Sequence, residues 1–160
     1  MPERIARVAV RWGRVGNERI MLRYRIDGAQ GLVIPKPVQP ERTDGLWHAT
    51  CCELFLSLGG GRYREFNFSP SGQWAAYEFA GYRTKAKDYD PHSPPKISVD
   101  IGTSVFTLTA FLSAAEFAGA SHAALSAVLA EPRRLSYWAL HHSGLKPDFH
   151  DPTCFVLPVK

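Results

Sequence analysis

Residues 62–83 read RYREFNFSPSGQWAAYEFAGYR, and the division of this stretch decides the fold. Two aromatic-rich runs flank Ser69-Pro70-Ser71-Gly72, the pattern of a β-hairpin around a turn. The first run is Tyr63 to Phe68; the second, Gln73 to Tyr82, carries Trp74, Tyr77, Phe79 and Tyr82. With a four-residue loop, Phe68 stands opposite Gln73, and directly opposed residues share a face. One face then holds Tyr63, Glu65, Asn67, Trp74, Ala76 and Glu78. The other holds Arg64, Phe66, Phe68, Ala75, Tyr77 and Phe79, and has the character of core. The first face sets an indole beside an amide and a carboxylate, which suits something flat and hydroxylated. The alternative for Trp74 is a ring lying under a loop, its indole N–H bonded to backbone.

Upstream, residues 19–26 (RIMLRYRI) alternate with period two. Ile20, Leu22, Tyr24 and Ile26 face one way and Arg19, Met21, Arg23 and Arg25 the other, which predicts a half-buried strand. Residues 4–12 form a looser first strand, joined through a turn at Gly16-Asn17. Leu32 to Ile34 is a short strand stopped by Pro35, and the proline-rich residues 35–45 are an irregular loop. Cys51–Leu58 is a strand with Leu54, Leu56 and Leu58 on one face and Glu53, Phe55 and Ser57 on the other. Gly59-Gly60-Gly61 ends it.

Downstream, residues 84–95 form a polar loop, of a kind that rims sites on β scaffolds but more often only connects. Residues 97–101 and 105–112 pair as a hairpin, and Ser113 caps one helical turn with Glu116 three residues on. Residues 123–130 (AALSAVLA) are helix-compatible in composition. The turn-like Glu131-Pro132-Arg133-Arg134 makes them instead a strand leading into Leu135–His141, and CFVLPV near the end supplies a last short strand. Many short strands with almost no helix predict a sandwich or barrel.

The 160 residues suit one domain spanning 1–160 with a full core. Hydrophobic residues are 45% and charged residues 21%, the balance of a soluble globular protein. A formal charge of +4, without any long Lys/Arg run, argues against nucleic acid. The N-terminal residues lack a secretory pattern and no segment has membrane-span length, so the expectation is a cytoplasmic protein without membrane contact. Three cysteines, Cys51, Cys52 and Cys154, fit reduced thiols.

Three segments, WHATCCELFL, YREFNFSPSGQWAAYEFAGYR and YWALHHSGLKPDFHDPTCF, together resemble the bacterial DOMON-like domains related to family 9 carbohydrate-binding modules. The resemblance runs in order over roughly residues 40–158, with NFSPSG and PDFH its most specific parts. It implies an all-β, antiparallel, jelly-roll-like sandwich, and relatives that bind sugars or haem. In the sugar-binding relatives a Trp before a strand stacks on a sugar ring and a following acidic residue takes hydroxyls. Trp47 and Glu53 match that pattern, so the resemblance implies those roles for them. A pyranose presents an apolar C–H face to an indole and a rim of hydroxyls to fixed acceptors. The competing reading makes Trp47 a packing plug and Glu53 the partner of a surface Arg. The relatives' second, late Trp has no convincing counterpart, since Trp138 does not match its local pattern.

Arg83 ends the second hairpin strand and is either a ligand contact or an ion-pair partner of Glu78 or Asp88. His142 and His150 are ligand hydrogen-bonders or loop locks. A metal held by His142, Asp148 and His150 fits known ligand spacings poorly, so no metal is expected. Haem, which needs a Met/His pair in the relatives, would have to use Met21 on an Arg-bearing face. No nucleophile elbow, phosphate loop or dinucleotide fingerprint occurs, and Cys51 with His48 lacks an orienting third group. The separation of Glu53, Glu65 and Glu78 cannot be read from sequence. The expectation is a non-enzyme without cofactor that binds a small sugar-like ligand through Trp47, Glu53, Asn67, Trp74, Arg83, His142 and His150. Its competitor is a protein-interaction domain on the same sheet face. A sugar site requires Trp47 or Trp74 exposed in a hollow of roughly 300 Å³ or more with several polar groups.

Overall fold

The structure, a computed structural model, describes residues 3–84 and 86–159. It is an antiparallel β-sandwich. The smaller sheet has the order β1-β2-β8-β7, from β1 (Arg7–Val15), β2 (Arg19–Asp27), β7 (Lys96–Ile101) and β8 (Val105–Ser113). The larger has the order β10-β9-β3-β4-β5-β6. Its strands are β3 (Cys51–Gly59), β4 (Arg62–Phe68), β5 (Trp74–Phe79), β6 (Lys87–Asp88), β9 (His122–Glu131) and β10 (Arg134–Ala139). A short β11 (Leu157–Pro158) also pairs with β9.

Alternation in β2 works as its sequence predicts: Ile20, Leu22, Tyr24 and Ile26 are buried between the sheets and the intervening residues face out. They meet Leu54, Leu56, Phe66 and Phe68 of the larger sheet, with Phe106, Leu108 and Leu112 of β8 completing the core. Such burial contributes on the order of 2 kcal/mol for each large apolar side chain. The Tyr24 hydroxyl crosses the interface and donates to the Glu53 carbonyl oxygen at 2.7 Å. The 123–130 segment is a strand, within β9, and Ser113 caps the turn Ala114–Phe117 by accepting from the Ala115 amide at 3.2 Å. Leu32 to Ile34 forms no strand, although the Val33 amide donates to the Ala130 carbonyl.

The hairpin departs from its expected register by one residue. The loop has five residues, because the Ser69 amide donates to Gln73 O at 3.0 Å and the Ser69 and Ser71 hydroxyls accept the amides of Ser71 and Gln73. Phe68 therefore opposes Trp74, and every side chain of β5 changes face. Trp74 joins Phe66 and Phe68 in the inter-sheet core, whereas Tyr77 and Phe79 join Glu65 and Tyr63 on the outer face. Residues 41–43 run beside Trp74, with the Trp74 amide donating to Glu41 O at 3.1 Å. The Arg42 guanidinium stacks 4.7 Å from the Trp74 ring and donates to Ala76 O and Tyr89 O.

The outer face of the larger sheet is half covered. Phe149, Cys154 and Phe155 fold over Phe55, Tyr63, Phe79 and Val128, making a second apolar cluster. This covering buries β3 on both faces from Cys51 to Leu56. The remaining, uncovered part of that face is the region of interest.

Gly28 packs against the chain's first described residues. It has φ +79°, and a Cβ there would collide with the Arg4 carbonyl oxygen and the Ala6 amide. Replacing Gly28 with Ala is expected to lower unfolding stability by about 2 kcal/mol or more, measured by urea denaturation. Gly13→Ala, whose added Cβ meets no atom within 4 Å, is the comparison and is expected to change little.

Candidate functional site

A cleft of about 610 Å³ lies beside the Phe149–Phe155 cover on the outer face of the larger sheet. Its floor comes from alternate residues of neighbouring strands: Glu53 of β3, Glu65 of β4, Tyr77 and Phe79 of β5, Val128 of β9 and Tyr137 of β10. Trp47 and Arg83 stand at its walls, with Phe149 and His150 from the covering segment. A larger hollow of about 900 Å³ lies by the β1–β2 turn and the start of β7, lined by Trp74, Pro94, Pro95, Ile97 and Phe111 among others. Its charged residues Glu18, Arg19 and Lys96 are solvent-exposed, so the smaller cleft, with polar side chains converging on a buried floor, is the better site.

Trp47 is presented by a 3-10 turn, Leu46–His48, which follows Gly45 at φ +76°. That left-handed start turns the chain abruptly into the cleft rim, and a side chain at residue 45 would strain it. Trp47 is 42% exposed, and its ring meets Tyr77 edge-on with centroids 6.5 Å apart. The Tyr77 hydroxyl is anchored by donating to Asp44 Oδ1 at 2.5 Å.

Glu53 and Glu65 are diagonal neighbours across the β3–β4 ladder, since Glu53 opposes Asn67 and Phe55 opposes Glu65. They are only 3% and 6% exposed. One Glu53 oxygen accepts from the Ser126 hydroxyl at 3.3 Å. Asn67, with its amide nitrogen facing the acceptors, donates to Glu65 Oε1 and to Phe66 O, each at 3.2 Å. Burial pushes both carboxyls well above the usual carboxylate range, and the proximity of Glu65 raises Glu53 further. Asn67 and the Arg83 charge pull Glu65 partly back.

His150 links the floor to the cover. Its Nδ1 lies 2.8 Å from the Tyr63 hydroxyl, and its Nε2 lies 3.8 Å from Glu65 Oε2. The Tyr63 oxygen already accepts the Arg83 amide at 3.1 Å. The Tyr63 phenol and Nδ1 share one hydrogen bond, its donor set by the ring tautomer, while Nε2 faces Glu65. Burial, and then the Arg83 charge, lower the His150 pKa to about 4, so the ring is neutral at physiological pH. Arg83, at φ 49°, holds a backbone conformation that costs a non-glycine residue about 1 kcal/mol or more. Its guanidinium donates to Asp148 Oδ1 at 2.8 Å, and Tyr82 donates to the other Asp148 oxygen.

Of the residues expected from sequence, Trp47, Glu53, Arg83 and His150 meet at this cleft. Asn67 is fully buried and reaches the cleft only through Glu65. Trp74 is 7% exposed in the inter-sheet core, under the 41–43 loop and the Arg42 guanidinium, and does not share the face of Asn67 and Glu65. His142 packs its ring near Phe149, with centroids 6.2 Å apart, and is not part of the cleft lining. Arg83 pairs with Asp148 rather than Glu78, which is taken by Arg64 and Lys87. Among the described residues no group of three His, Cys, Asp or Glu is gathered to hold a metal. Sequence reasoning missed Tyr77 and Phe79 through the register error. It also missed Tyr63, Tyr137 and Ser126, and Trp138 points to the other face, donating to Ser136 Oγ. Strict alternation from Glu53 and Glu65 through a five-residue loop is the signal that finds Tyr77.

The carboxyls and His150 act on stability in opposite senses. Each carboxyl keeps its proton in the folded state at pH values where the unfolded chain, titrating near 4.5, has lost it. Their contribution is complete below that value and is lost as pH rises through the raised one. His150, lowered from 6.5 to about 4, contributes stability that is complete above 6.5 and is lost as pH falls toward 4. Glu53→Gln removes part of the first effect only. The variant is expected to be more stable than the parent at pH 8, by about 1 kcal/mol or more, with the difference closing at pH 4. Urea denaturation at both pH values checks this, and a pH-independent difference would contradict it.

No protein-family model matches the chain, and no curated protein matches it. Among solved structures it is similar to a proposed carbohydrate-binding protein from Bacteroides uniformis. The TM-score is 0.65 at 16% identity, over 92% of this chain and 75% of that one. At this identity the similarity is one of fold.

Proposed function

We propose that this chain is a non-catalytic module that binds a small hydroxylated ligand, a sugar or glycan fragment, in the cleft between Trp47 and His150. The observation that carries the reading is an exposed indole over a recessed polar floor. Trp47 offers a flat face, and Glu53, Glu65, Arg83 and His150 converge beneath it within about 610 Å³. Stacking on a C–H face with directional bonds to hydroxyls is how proteins hold pyranoses. The fold shared with the Bacteroides uniformis protein supports the same class of ligand. We further infer kinship with the DOMON-like domains and family 9 modules, which the motifs around Trp47, Asn67 and His150 support.

A non-catalytic role is supported by the withdrawal of the Cys51 thiol, which is fully buried with its pKa raised well above the ordinary thiol value. A cytoplasmic setting is supported by three free cysteines, and points to a soluble sugar rather than an external polysaccharide. No described helix is long and apolar enough to cross a membrane. Haem is disfavoured because Met21 faces out from the smaller sheet, on the opposite side of the sandwich from His150. A protein partner is the second reading, favoured by the exposed Trp47, Leu135 and Tyr137 around the same cleft.

Titration of the protein with mono- and disaccharides, followed by tryptophan fluorescence, is expected to give saturable quenching. Trp47→Ala is expected to weaken binding at least tenfold and Trp74→Phe to leave it within about threefold. The disaccharide is expected to be recovered uncleaved. Absence of any response, with both variants folded, would favour the protein partner.

A further inference from the structure

We infer that the ligand carries a positive charge: the cleft is built for an amino sugar or a similar hydroxylated amine. This rests on the sugar reading above and narrows it. Two features that do not depend on each other lead to it.

The first is an oxygen without a partner. Glu53 is only 3% exposed, yet among the described residues its carboxyl has a single hydrogen bond, from Ser126 to one oxygen. No fully buried side-chain oxygen among the described residues lacks a partner, so the other Glu53 oxygen opens into the cleft. Glu65 stands beside it, held by Asn67 on one oxygen and facing the His150 ring with the other. Among the described residues no Lys or Arg forms an ion pair with either carboxyl, and Arg83 is committed to Asp148. Two acids are thus seated on the floor without a Lys or Arg ion-pair partner among the described residues. An ammonium group brings three N–H donors and the missing charge. On binding, each carboxyl that pairs with the ammonium gives its O–H proton to solvent water, and the ligand keeps all its N–H bonds.

The second feature is the wall. Trp47, Tyr77, Phe79, Tyr137 and Phe149 surround the carboxyls. Aromatic faces attract cations through their quadrupole, most strongly where the cation is desolvated beside an indole. A neutral sugar uses these rings through its C–H face alone. A sugar phosphate would meet Arg83, already paired with Asp148, as the one Lys or Arg among the described lining residues, and would face the two acids. Among the described residues these side chains do not form a group of three His, Cys, Asp or Glu that could hold a metal.

Isothermal titration calorimetry at pH 7 with D-glucosamine, D-glucose and N-acetyl-D-glucosamine tests this. The acetylated sugar keeps the nitrogen but loses its charge. Glucosamine is expected to bind at least tenfold more tightly than either neutral sugar. Glu53→Gln and Glu65→Gln are each expected to reduce the preference for glucosamine over glucose about tenfold, with cooperative urea unfolding showing that the variants are folded. Equal binding of glucosamine and glucose would overturn the charge inference and leave the sugar reading standing. Binding of none of the three would overturn both.

Discussion

Strand β3 is hydrogen-bonded along both edges, to β4 and β9, and is buried on both faces through Leu56. A strand in that position normally reads as a continuous apolar run. Here the run CCELFL is interrupted by Glu53, and much of the surrounding structure serves that one interruption. Its backbone carbonyl accepts Tyr24 from the opposite sheet, and its carboxyl accepts Ser126 from β9. An isolated ionised carboxylate in such a place costs several kcal/mol, so the group holds its proton or waits for a partner. The cleft exists because the cover formed by Phe149 and Phe155 stops short of it.

The cover itself is held by polar contacts that reach under it. Tyr63 joins the Arg83 amide to His150, and Asp148 gathers Tyr82 and Arg83. Tyr63 also stacks on Phe79 at 4.6 Å. The wall carrying His150 is therefore positioned by a regular strand, β4, rather than by its own irregular backbone. Sites are held most precisely when loop residues lean on strands in this way.

The sequence made much of this legible where one face meets oil and the other water. Ile20 to Ile26 announce β2 because their alternation is strict, and Ser113 announces its turn because a hydroxyl there has a fixed local task. Trp47 and Glu53 are paired through the family resemblance alone, and the structure brings both to the lining of one cleft. The 69–73 loop was not legible, because Gln73 can end a loop or begin a strand with equal ease. Two serine hydroxyls that bond loop amides decide the matter, and they cost the reading one residue and all of β5. Pairing with a period of two turns such an error into a full exchange of faces, which placed Trp74 in the site and Tyr77 in the core. The covering segment was also beyond reach: nothing local in PDFHDPTCF says which face of which sheet it will cover. Tyr137 and Trp138 alternate as expected, but which of them meets the cleft depends on that choice.

The sandwich has two compartments that share strands but little else. Substitutions in the inter-sheet core and in the cleft lie on opposite sides of β3, β4 and β5, and changes at distant, unshared positions combine additively. Tyr24 breaks this separation, because its hydroxyl ends on the backbone of the residue whose side chain forms the cleft floor. The cleft can therefore drift in specificity while the core is conserved, and the core can be repacked without altering specificity, provided that this tyrosine stays. Loss of Tyr24 would couple the histories of the two compartments, making the tolerated residues in one depend on those already fixed in the other.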